Sequence, residues 1–238
     1  MGSGLQNIVI LTGAGISAES GIDTFRDSGG LWENHSVYDV ATPEGFARDP
    51  ELVLRFYDAR RVALAGVEPN PAHIALARLE REFVQRQLGN VLLVTQNVDD
   101  LHERGGSQDV CHMHGRLKSA LCTSCGTRSE WDAPMLSRPP CPVCQAPTLR
   151  PDIVWFGEMP YQMRRIEEAL EQCDLFVSIG TSGAVYPAAG FVAQAKGLGA
   201  RTLELNLEPS EGSAIFHEAR HGPAGELVPA WVDEILGA

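Results

Sequence analysis

Four cysteines in two CxxC pairs carry the strongest chemical signal in the sequence. Cys122 and Cys125 form the first pair, Cys141 and Cys144 form the second, and fifteen residues lie between the pairs. Two turns with this spacing can each offer two thiolates to one tetrahedral zinc ion. Four thiolates leave no open coordination position for water, so the pattern predicts a structural zinc rather than a catalytic one.

Zinc ribbons that bind nucleic acid use similar cysteine pairs, so a binding module is the alternative interpretation of this stretch. The residues around the cysteines are not densely basic, which disfavours that alternative. Cys111 and Cys173 lie outside the spacing. We expect each of them to be a small buried apolar side chain rather than a nucleophile.

A glycine turn near the N-terminus is the second chemical signal. The apolar run Asn7 to Leu11 is typical of a buried strand, and Gly13-Ala14-Gly15-Ile16-Ser17-Ala18 then matches GxGxxG/A. Such small residues let the backbone approach a pyrophosphate at a helix N-terminus, and a helix is expected from Ile16. A tight turn without a ligand is the alternative. A conventional dehydrogenase is disfavoured, because Asp39, the acidic residue at the required spacing, lies in an irregular stretch.

The composition limits the classes of partner and compartment. The chain has 238 residues, with 31 acidic and 19 basic side chains and a net charge of −12, which disfavours attraction to nucleic acid. No apolar stretch approaches the ~20 residues of a membrane span, and Met1 to Gln6 does not resemble a signal peptide. We therefore expect a cytoplasmic protein with no membrane partner. CxxC pairs suit that reducing compartment.

Strand and helix patterns alternate along most of the chain. Further strands are predicted at Val91 to Thr95, Leu175 to Ile179 and Arg201 to Leu205. Helices are predicted over residues 72–88, 164–172 and 188–196. This alternation favours an α/β fold, a Rossmann-like parallel sheet with helices on both faces.

Two stretches interrupt that rhythm and are interpreted as insertions that form a small domain. Residues 28–70 contain one clear helix, Pro50 to Ala65, and residues 119–151 contain the four cysteines. We expect a single catalytic domain over 1–238, with a Rossmann-like core at about 1–27, 71–118 and 152–238.

Several motifs resemble those of the sirtuin family and occur in the family's order. The segment Gly13 to Trp32, GAGISAESGIDTFRDSGGLW, is similar to the first sirtuin motif at nearly every position. The later matches are Gln96-Asn97-Val98-Asp99 to the QNxD motif, His114-Gly115 to the catalytic histidine and its glycine, and Gly180-Thr181-Ser182, Asn206-Leu207-Glu208 and Gly222-Pro223-Ala224 to segments that contact NAD. The resemblance spans almost the whole chain.

The resemblance implies an enzyme that uses NAD as co-substrate and removes acyl groups from the lysine side chains of proteins or peptides. Its products would be nicotinamide, O-acyl-ADP-ribose and free lysine. The NAD-contacting residues that it implies are Gly13, Ala14, Gly15, Ser17, Ala18, Phe25, Arg26, Trp32, Gln96, Asn97, Asp99, Gly180, Thr181, Ser182, Asn206, Leu207, Glu208 and Ala224.

His114 is the general base that the resemblance implies. A neutral histidine, with an ordinary pKa of about 6.5, would activate a ribose hydroxyl of NAD after nicotinamide has left. His112 lies two residues away but lacks the following glycine. We expect structural roles for the remaining histidines, which are His35, His73, His102, His217 and His221.

Asn97 and Asp99 would act beside His114 by lining the nicotinamide pocket, where polar groups can stabilise charge as the glycosidic bond breaks. A cap between strand and helix is an equally good use of both side chains, and the two roles are compatible. The segment Val154-Trp155-Phe156-Gly157-Glu158 resembles the family segment that pairs with the substrate backbone as an added strand. The implied substrate-binding residues there are Val154, Phe156, Gly157 and Glu158.

Tyr57 and Arg60 suggest which acyl group is removed. At i and i+3 of the helix Pro50 to Ala65 they share a face, and the pair resembles the YxxR pair of class III sirtuins, which favour succinyl- and malonyl-lysine. A guanidinium and a phenol could bind the distal carboxylate of such groups. Arg60 could instead be one of several arginines on a solvated helix face. Acetyl-lysine is expected as a further substrate, and Arg55 and Arg61 should point elsewhere.

Two other functions remain as alternatives. An ADP-ribosyltransferase also cleaves the nicotinamide bond but passes ADP-ribose to a protein. A zinc-ribbon binding protein with a vestigial NAD site would bind partners without releasing nicotinamide. The sequence gives no indication of the oligomeric state or of the individual protein substrates.

Overall fold

A computed structural model describes residues 5–22, the backbone of 31–32, and residues 35–237. The strands are β1 (Asn7–Thr12), β2 (Leu31–Trp32), β3 (His35–Ser36), β4 (Asn90–Thr95), β5 (Val110–His112), β6 (Gly115–Cys122), β7 (Arg128–Glu130), β8 (Leu149–Ile153), β9 (Leu175–Ile179), β10 (Arg201–Asn206) and β11 (Glu218–His221). The α-helices are α1 (Val37–Val40), α2 (Pro43–Arg48), α3 (Pro50–Leu64), α4 (Pro71–Gln85), α5 (Leu101–Arg104), α6 (Met163–Glu171), α7 (Phe191–Gly197) and α8 (Ala224–Leu236).

A six-stranded sheet forms the centre of the fold, in the order β11-β10-β9-β1-β4-β5, and its neighbouring strands are parallel. Alternate residues of β1 point to opposite faces. Ile8 and Ile10 pack in one core with residues of α4 and α8, whereas Val9 and Leu11 pack in a second core with residues of α6 and α7. Helices therefore cover both faces, which confirms the predicted Rossmann-like class.

The sheet order creates a crevice at one position. From β1 the chain builds one half of the sheet through β4 and β5, and later builds the other half through β9, β10 and β11. In open α/β sheets, ligands bind outside the carboxyl ends of the strands where the order reverses in this way. That position here is the end of β1 at Thr12 and the end of β9 at Ile179.

A smaller layer lies against this edge of the sheet. It contains α1 to α3, the two-stranded antiparallel pair β2-β3, and a three-stranded antiparallel sheet in the order β7-β6-β8. β6 runs across the boundary predicted at 118/119. The fully buried Tyr57 and Trp155 belong to the apolar core that joins α3 to β6 and β8.

Several elements differ from the sequence predictions. The glycine turn leads into a 3-10 helix, Ala14–Ser20, which begins two residues before the predicted start at Ile16 and ends at Gly21 in the left-handed region (φ 90°). The short edge strands β5 and β11 were not predicted, and neither was α8. β11 has the sequence EARH and is largely exposed, so it carries no apolar signal. No helix of the described residues combines the length and apolar character of a membrane span.

Candidate functional site

A cavity of about 910 Å³ lies between the carboxyl edge of the main sheet and the smaller layer. It brings together residues from the first, middle and last thirds of the chain. The predicted functional residues that line it are Gly13, Ala14, Gly15, Ala18, Tyr57, Arg60, Gln96, Asn97, Asp99, His114, Val154, Phe156, Gly157, Glu158, Gly180, Thr181, Ser182, Asn206, Leu207 and Ala224.

The remaining predicted site residues do not line the cavity or are not described. Ser17 is fully buried behind the cavity wall, and Glu208 is exposed outside it. Phe25 and Arg26 lie outside the described residues, and for Trp32 only the backbone strand is described. The roles implied for these five residues, like those implied for the residues that line the cavity, stay predictions.

Glycines let the two loops at the crevice pack backbone to backbone. Gly13 N–H donates to Ile179 O at 3.0 Å, and Gly15 N–H donates to Gly180 O at 2.8 Å. A Cβ on Gly15 would lie 2.7 Å from the Cα of Gly180, and Gly180 itself has φ +62°. Side chains are thus excluded where the loop after β1 meets the loop after β9. The close packing joins two predicted NAD segments into one wall.

His114 is held in the orientation that a general base needs. Its Nδ1 lies 3.2 Å from the carbonyl oxygen of Gln96, which can only accept, so Nδ1 carries the proton and Nε2 keeps its lone pair. Burial lowers the pKa of His114 below 6.5, and the bond to Gln96 opposes this shift without cancelling it. The imidazole is therefore neutral at pH 7.

Gly115 explains why a glycine follows the histidine. It has φ +83°, and a Cβ there would lie 2.0 Å from the carbonyl oxygen of Asp152. The close approach occurs where β6 begins to pair with β8, with Gly115 opposite Ile153. Any side chain at this position would displace β6 and with it His114.

Asn97 and Asp99 share one buried partner, Ser17. Asn97 Nδ2 donates to Ser17 Oγ at 3.1 Å, and Ser17 Oγ donates to Asp99 Oδ2 at 3.2 Å. Asp99 Oδ1 also accepts from Leu101 N–H at 3.1 Å, at the start of α5. Asp99 thus both binds the first amide of α5 and lines the cavity. Burial raises the pKa of its carboxyl, although the bonds from Leu101 and Ser17 oppose the rise.

Two buried histidines that were expected to be purely structural lie directly behind this group. His73 Nδ1 accepts from Asn70 N–H at 3.3 Å, so Nε2 carries the proton that faces Ser17 Oγ at 3.4 Å. His102 Nε2 lies 3.0 Å from Thr12 Oγ1, and the two imidazole rings meet edge to face at 5.0 Å. The sequence gives no local signal for these contacts, because they depend on how α4 packs against the 3-10 helix.

Acid is expected to destabilise the fold through His73. Burial lowers its pKa to about 4, so the folded state rejects a proton that the unfolded chain binds below about 6.5. The stability from the neutral ring is present above pH 6.5 and is lost as the pH falls toward 4. Between pH 7 and pH 5 His73 should lower the free energy of unfolding by about 2 kcal/mol.

Urea unfolding at pH 7 and pH 5 measures this loss. His73→Gln should remove its share of the pH dependence while His102, whose pKa burial also lowers well below 6.5, still contributes. An unchanged pH dependence in His73→Gln would show that His73 is not buried in neutral form.

His112, the residue set aside in favour of His114, supports the site from outside. It is buried, with Nδ1 3.3 Å from the carbonyl oxygen of Asn97 and Nε2 2.6 Å from Glu103 Oε1. It therefore contacts the backbone of the Asn97 loop and does not line the cavity.

The segment 154–158 forms one wall of the cavity, and hydrogen bonds from its backbone amides hold it in place. Val154 N–H donates to His114 O and Phe156 N–H donates to Ala41 O, both at 2.9 Å. Trp155 N–H donates to Glu158 Oε2 at 2.9 Å. A peptide that pairs along this segment would find these three amides already satisfied.

Tyr57 and Arg60 approach the cavity from α3. Tyr57 is fully buried, and its hydroxyl oxygen accepts from Trp155 Nε1 at 3.0 Å. Burial raises the pKa of the phenol, so it stays protonated at neutral pH. Arg60 lies with its guanidinium carbon 5.1 Å from the centre of the Phe56 ring. Arg55 instead pairs with Glu51 on the exposed face of the helix.

At the opposite end of the cavity, polar side chains hold the loop that follows β10. Asn206 Nδ2 donates to the carbonyl oxygen of Thr181 at 2.9 Å and so connects β10 to the loop after β9. The buried Glu204 accepts from Ser210 Oγ, from Ser213 Oγ at 2.5 Å and from His221 at 3.2 Å. Glu204 was not predicted as a site residue, because a lone acidic residue in an apolar strand has no motif of its own.

The four cysteines converge in space as their spacing predicted. Their Sγ atoms all lie within 4.8 Å of one another, with Cys122 and Cys144 at 3.6 Å and Cys125 and Cys141 at 3.8 Å. Tetrahedral zinc with Zn–S bonds of about 2.3 Å requires S···S separations of about 3.8 Å. A disulfide would need about 2.05 Å. The donor set therefore fits one zinc ion with four thiolate ligands. Cys111 and Cys173 are buried elsewhere, in the apolar core beneath α6 and α7.

Loss of one ligand is expected to release the metal. Cys141→Ser should lower the zinc content of purified protein from one ion per chain to about none, because a serine hydroxyl is a poor zinc ligand at neutral pH. Metal analysis by mass spectrometry measures the ratio. Cys173→Ser is the matched control, a buried cysteine outside the cluster, and should retain one zinc. Full zinc in Cys141→Ser would contradict the assignment.

Comparison with known proteins gives a consistent result. The Sir2 family model matches residues 13–187. The chain is 56% identical over 236 residues to an "NAD-dependent protein deacylase" of Vibrio cholerae serotype O1, covering 98% of this chain and 94% of that protein. A solved Sir2 homologue–NAD complex superposes with a TM-score of 0.85 at 39% identity, covering 96% and 89% of the two chains. A structure of Sir2 bound to an acetylated peptide gives 0.79 at 28% identity, with coverage of 96% and 92%.

Proposed function

The chain belongs to the Sir2 family, and from this premise we propose that it removes acyl groups from protein lysines and consumes NAD in doing so. One observation carries the proposal. A single cavity is lined by the glycine turn, by a neutral His114 and by the Tyr57/Arg60 pair, so NAD and an acylated lysine can meet beside the base. NAD supplies a ribose carbon from which nicotinamide can leave and a hydroxyl that later receives the acyl group.

We assign roles to the residues of the cavity on this basis. His114 Nε2 takes the proton of a ribose hydroxyl, because the bond from Nδ1 to Gln96 fixes the required tautomer. Asn97 and Asp99, held by Ser17, orient the carboxamide side of the cofactor and stabilise charge there. The loops at Gly13–Gly15 and Gly180–Ser182 hold the pyrophosphate and ribose, and Asn206 and Leu207 lie at the adenine end.

We propose succinyl- and malonyl-lysine as favoured substrates, with acetyl-lysine also accepted. Arg60 offers a permanent positive charge and Tyr57 a protonated phenol at the same wall of the cavity, and a distal carboxylate would contact both. The apolar walls near them, which include Leu64 and Val67, suit the methylene groups of the acyl chain.

The setting of the enzyme is also part of the proposal. One catalytic domain would consist of the Rossmann-like core with the insertions at 28–70 and 119–151, and the zinc would be structural. A reducing compartment, the cytoplasm, suits four zinc-binding thiols. The net charge of −12 disfavours nucleic acid as a partner, and we propose no membrane partner.

A mass-spectrometric assay tests the proposal. Purified protein is incubated with NAD and with peptides of one sequence that carry succinyl-lysine or acetyl-lysine, and free lysine, nicotinamide and O-acyl-ADP-ribose are followed together. Both peptides should lose their acyl group only when NAD is present, and the succinyl peptide should react faster.

Each other outcome has a distinct meaning. Acetyl turnover alone would retain the deacylase and refute the acidic acyl pocket. Addition of the mass of ADP-ribose to the peptide would indicate a transferase. No NAD-dependent product from either peptide would refute the deacylase proposal.

A further inference from the structure

The helix that carries Tyr57 and Arg60 is anchored on its opposite side to the four-cysteine module. Leu54, one turn before Asp58, is fully buried in an apolar core with Met135, Cys122 and Cys141. Leu54 and Asp58 thus face the cysteine module, whereas Tyr57 and Arg60 line the cavity. α3 is therefore packed between the cysteine module and the cavity.

Asp58 makes the polar part of this anchor. Its carboxylate accepts from Met135 N–H at 2.9 Å and from Leu136 N–H at 3.0 Å, in the loop between the two cysteine pairs. It also accepts from Arg61 Nη2 at 2.8 Å. The side chains of Arg61 and Asp58 are only 5% and 14% exposed, so water screens these bonds little.

The anchor acts on the residues next to it in the helix. Arg61 Nη1 also donates to the carbonyl oxygen of Tyr57 at 3.3 Å. Asp58, Arg61 and the backbone of Tyr57 thus form one connected group on α3. A rotation or a shift of α3 along its axis would move Tyr57 and Arg60 together relative to the cavity.

We propose that Asp58 is a positioning residue for acyl selection. It fixes the position of α3 along its axis and its rotation, and so places Arg60 and Tyr57 against a distal carboxylate. The inference rests on the proposed role of that pair. Charge-assisted hydrogen bonds need well-defined geometry, and a displacement of about 1 Å can cost up to about a hundredfold in rate. An acetyl group has no distal carboxylate and is much less sensitive to this displacement.

The test compares kcat and KM for matched succinyl and acetyl peptides in four variants. Asp58→Ala should lower the succinyl-to-acetyl ratio of kcat/KM by on the order of tenfold, because the displaced pair no longer meets the distal carboxylate in the required geometry. Asp58→Asn keeps one acceptor oxygen and should shift the ratio in the same direction by a smaller factor, about threefold.

Asp174→Ala is the control for stability alone. Asp174 Oδ2 also accepts two backbone amides, Gln6 N–H at 2.9 Å and Asn7 N–H at 2.8 Å, but it does not line the cavity. Its removal should lower the melting temperature and leave the acyl ratio unchanged. Equal losses on both peptides in Asp58→Ala would overturn the inference, since they indicate a structural role only.

Arg60→Met separates the failure of this inference from failure of the proposed function. If Arg60→Met changes the acyl ratio and neither Asp58 variant does, the positioning role is wrong and the acyl pocket stands. If Arg60→Met leaves the ratio unchanged, the acyl pocket is wrong and the role of Asp58 falls with it. Should Asp58→Ala not fold, a wild-type ratio in Asp58→Asn overturns the inference.

Discussion

Replacing His114 by alanine is expected to lower kcat for deacylation by about 10²- to 10⁴-fold, the usual contribution of a general base. The loss follows from geometry as well as residue type. The bond from Nδ1 to Gln96 O leaves only Nε2 as a base, and burial keeps the ring neutral at pH 7. No other histidine of the described residues lines the cavity and could take over.

His114 is expected to act at a late stage of the reaction, so its loss should affect the early and late steps differently. In the proposed sequence of events nicotinamide leaves before the base is needed. His114→Ala should therefore still exchange labelled nicotinamide into NAD in the presence of an acyl peptide while it releases almost no free lysine. Loss of both reactions together would place His114 at cofactor binding instead.

His217→Gln is a suitable control for this experiment. His217 is exposed, accepts from Thr202 N–H at 3.1 Å and lies outside the cavity wall. The variant should retain wild-type deacylation, and both proteins should show the same melting temperature as the wild type within a few degrees. Near-normal lysine release by His114→Ala would refute the mechanism.

The buried strands β1, β4 and β9 could be predicted closely because burial on two faces leaves a nearly continuous apolar run. β9 has the predicted bounds, and β1, β4 and β10 differ from prediction by one residue at one end. Edge strands have one neighbour and less burial, so β5 and β11 lack this signal. The fold class followed from the alternation of these central strands with the predicted helices.

The glycine turn shows what a local motif can and cannot predict. The sequence explained the glycines at positions 13 and 15 by the close approach of a pyrophosphate. The structure adds a second reason, because both residues pack against Gly180. That contact joins residues more than 160 positions apart in the sequence. A local sequence pattern cannot predict a contact between residues so far apart in the chain. For the same reason it could not predict the contact between Ser17 and His73.

On the substrate side of the cavity, helical spacing predicted more of the structure than the glycine motif did on the NAD side. The i, i+3 relation of Tyr57 and Arg60 predicted a shared face, and both line the cavity. Arg61, which was expected to point elsewhere, pairs with Asp58. The spacing could not predict what α3 packs against, because the cysteine module that meets Asp58 is about 80 residues further along the chain.

The substitution Arg60→Met is expected to lower kcat/KM for a succinyl peptide by about tenfold to a hundredfold. A charge-assisted pair contributes roughly 1.5 to 3 kcal/mol, and each 1.4 kcal/mol corresponds to about a factor of ten. Methionine keeps much of the side-chain volume but removes the charge and all five donors. Deacetylation should change by no more than about twofold, because acetyl-lysine offers no carboxylate to the guanidinium.

Arg55→Met provides the matched control on the same helix. It removes one positive charge from the exposed face of α3, where Arg55 pairs only with Glu51 among the described residues, and it should leave the acyl ratio unchanged. Kinetics with both peptides at several salt concentrations separate a local contact from a general loss of positive charge, since only the latter is screened strongly. Equal losses for succinyl and acetyl peptides in Arg60→Met would refute the assignment, because only the succinyl group offers a carboxylate to the guanidinium.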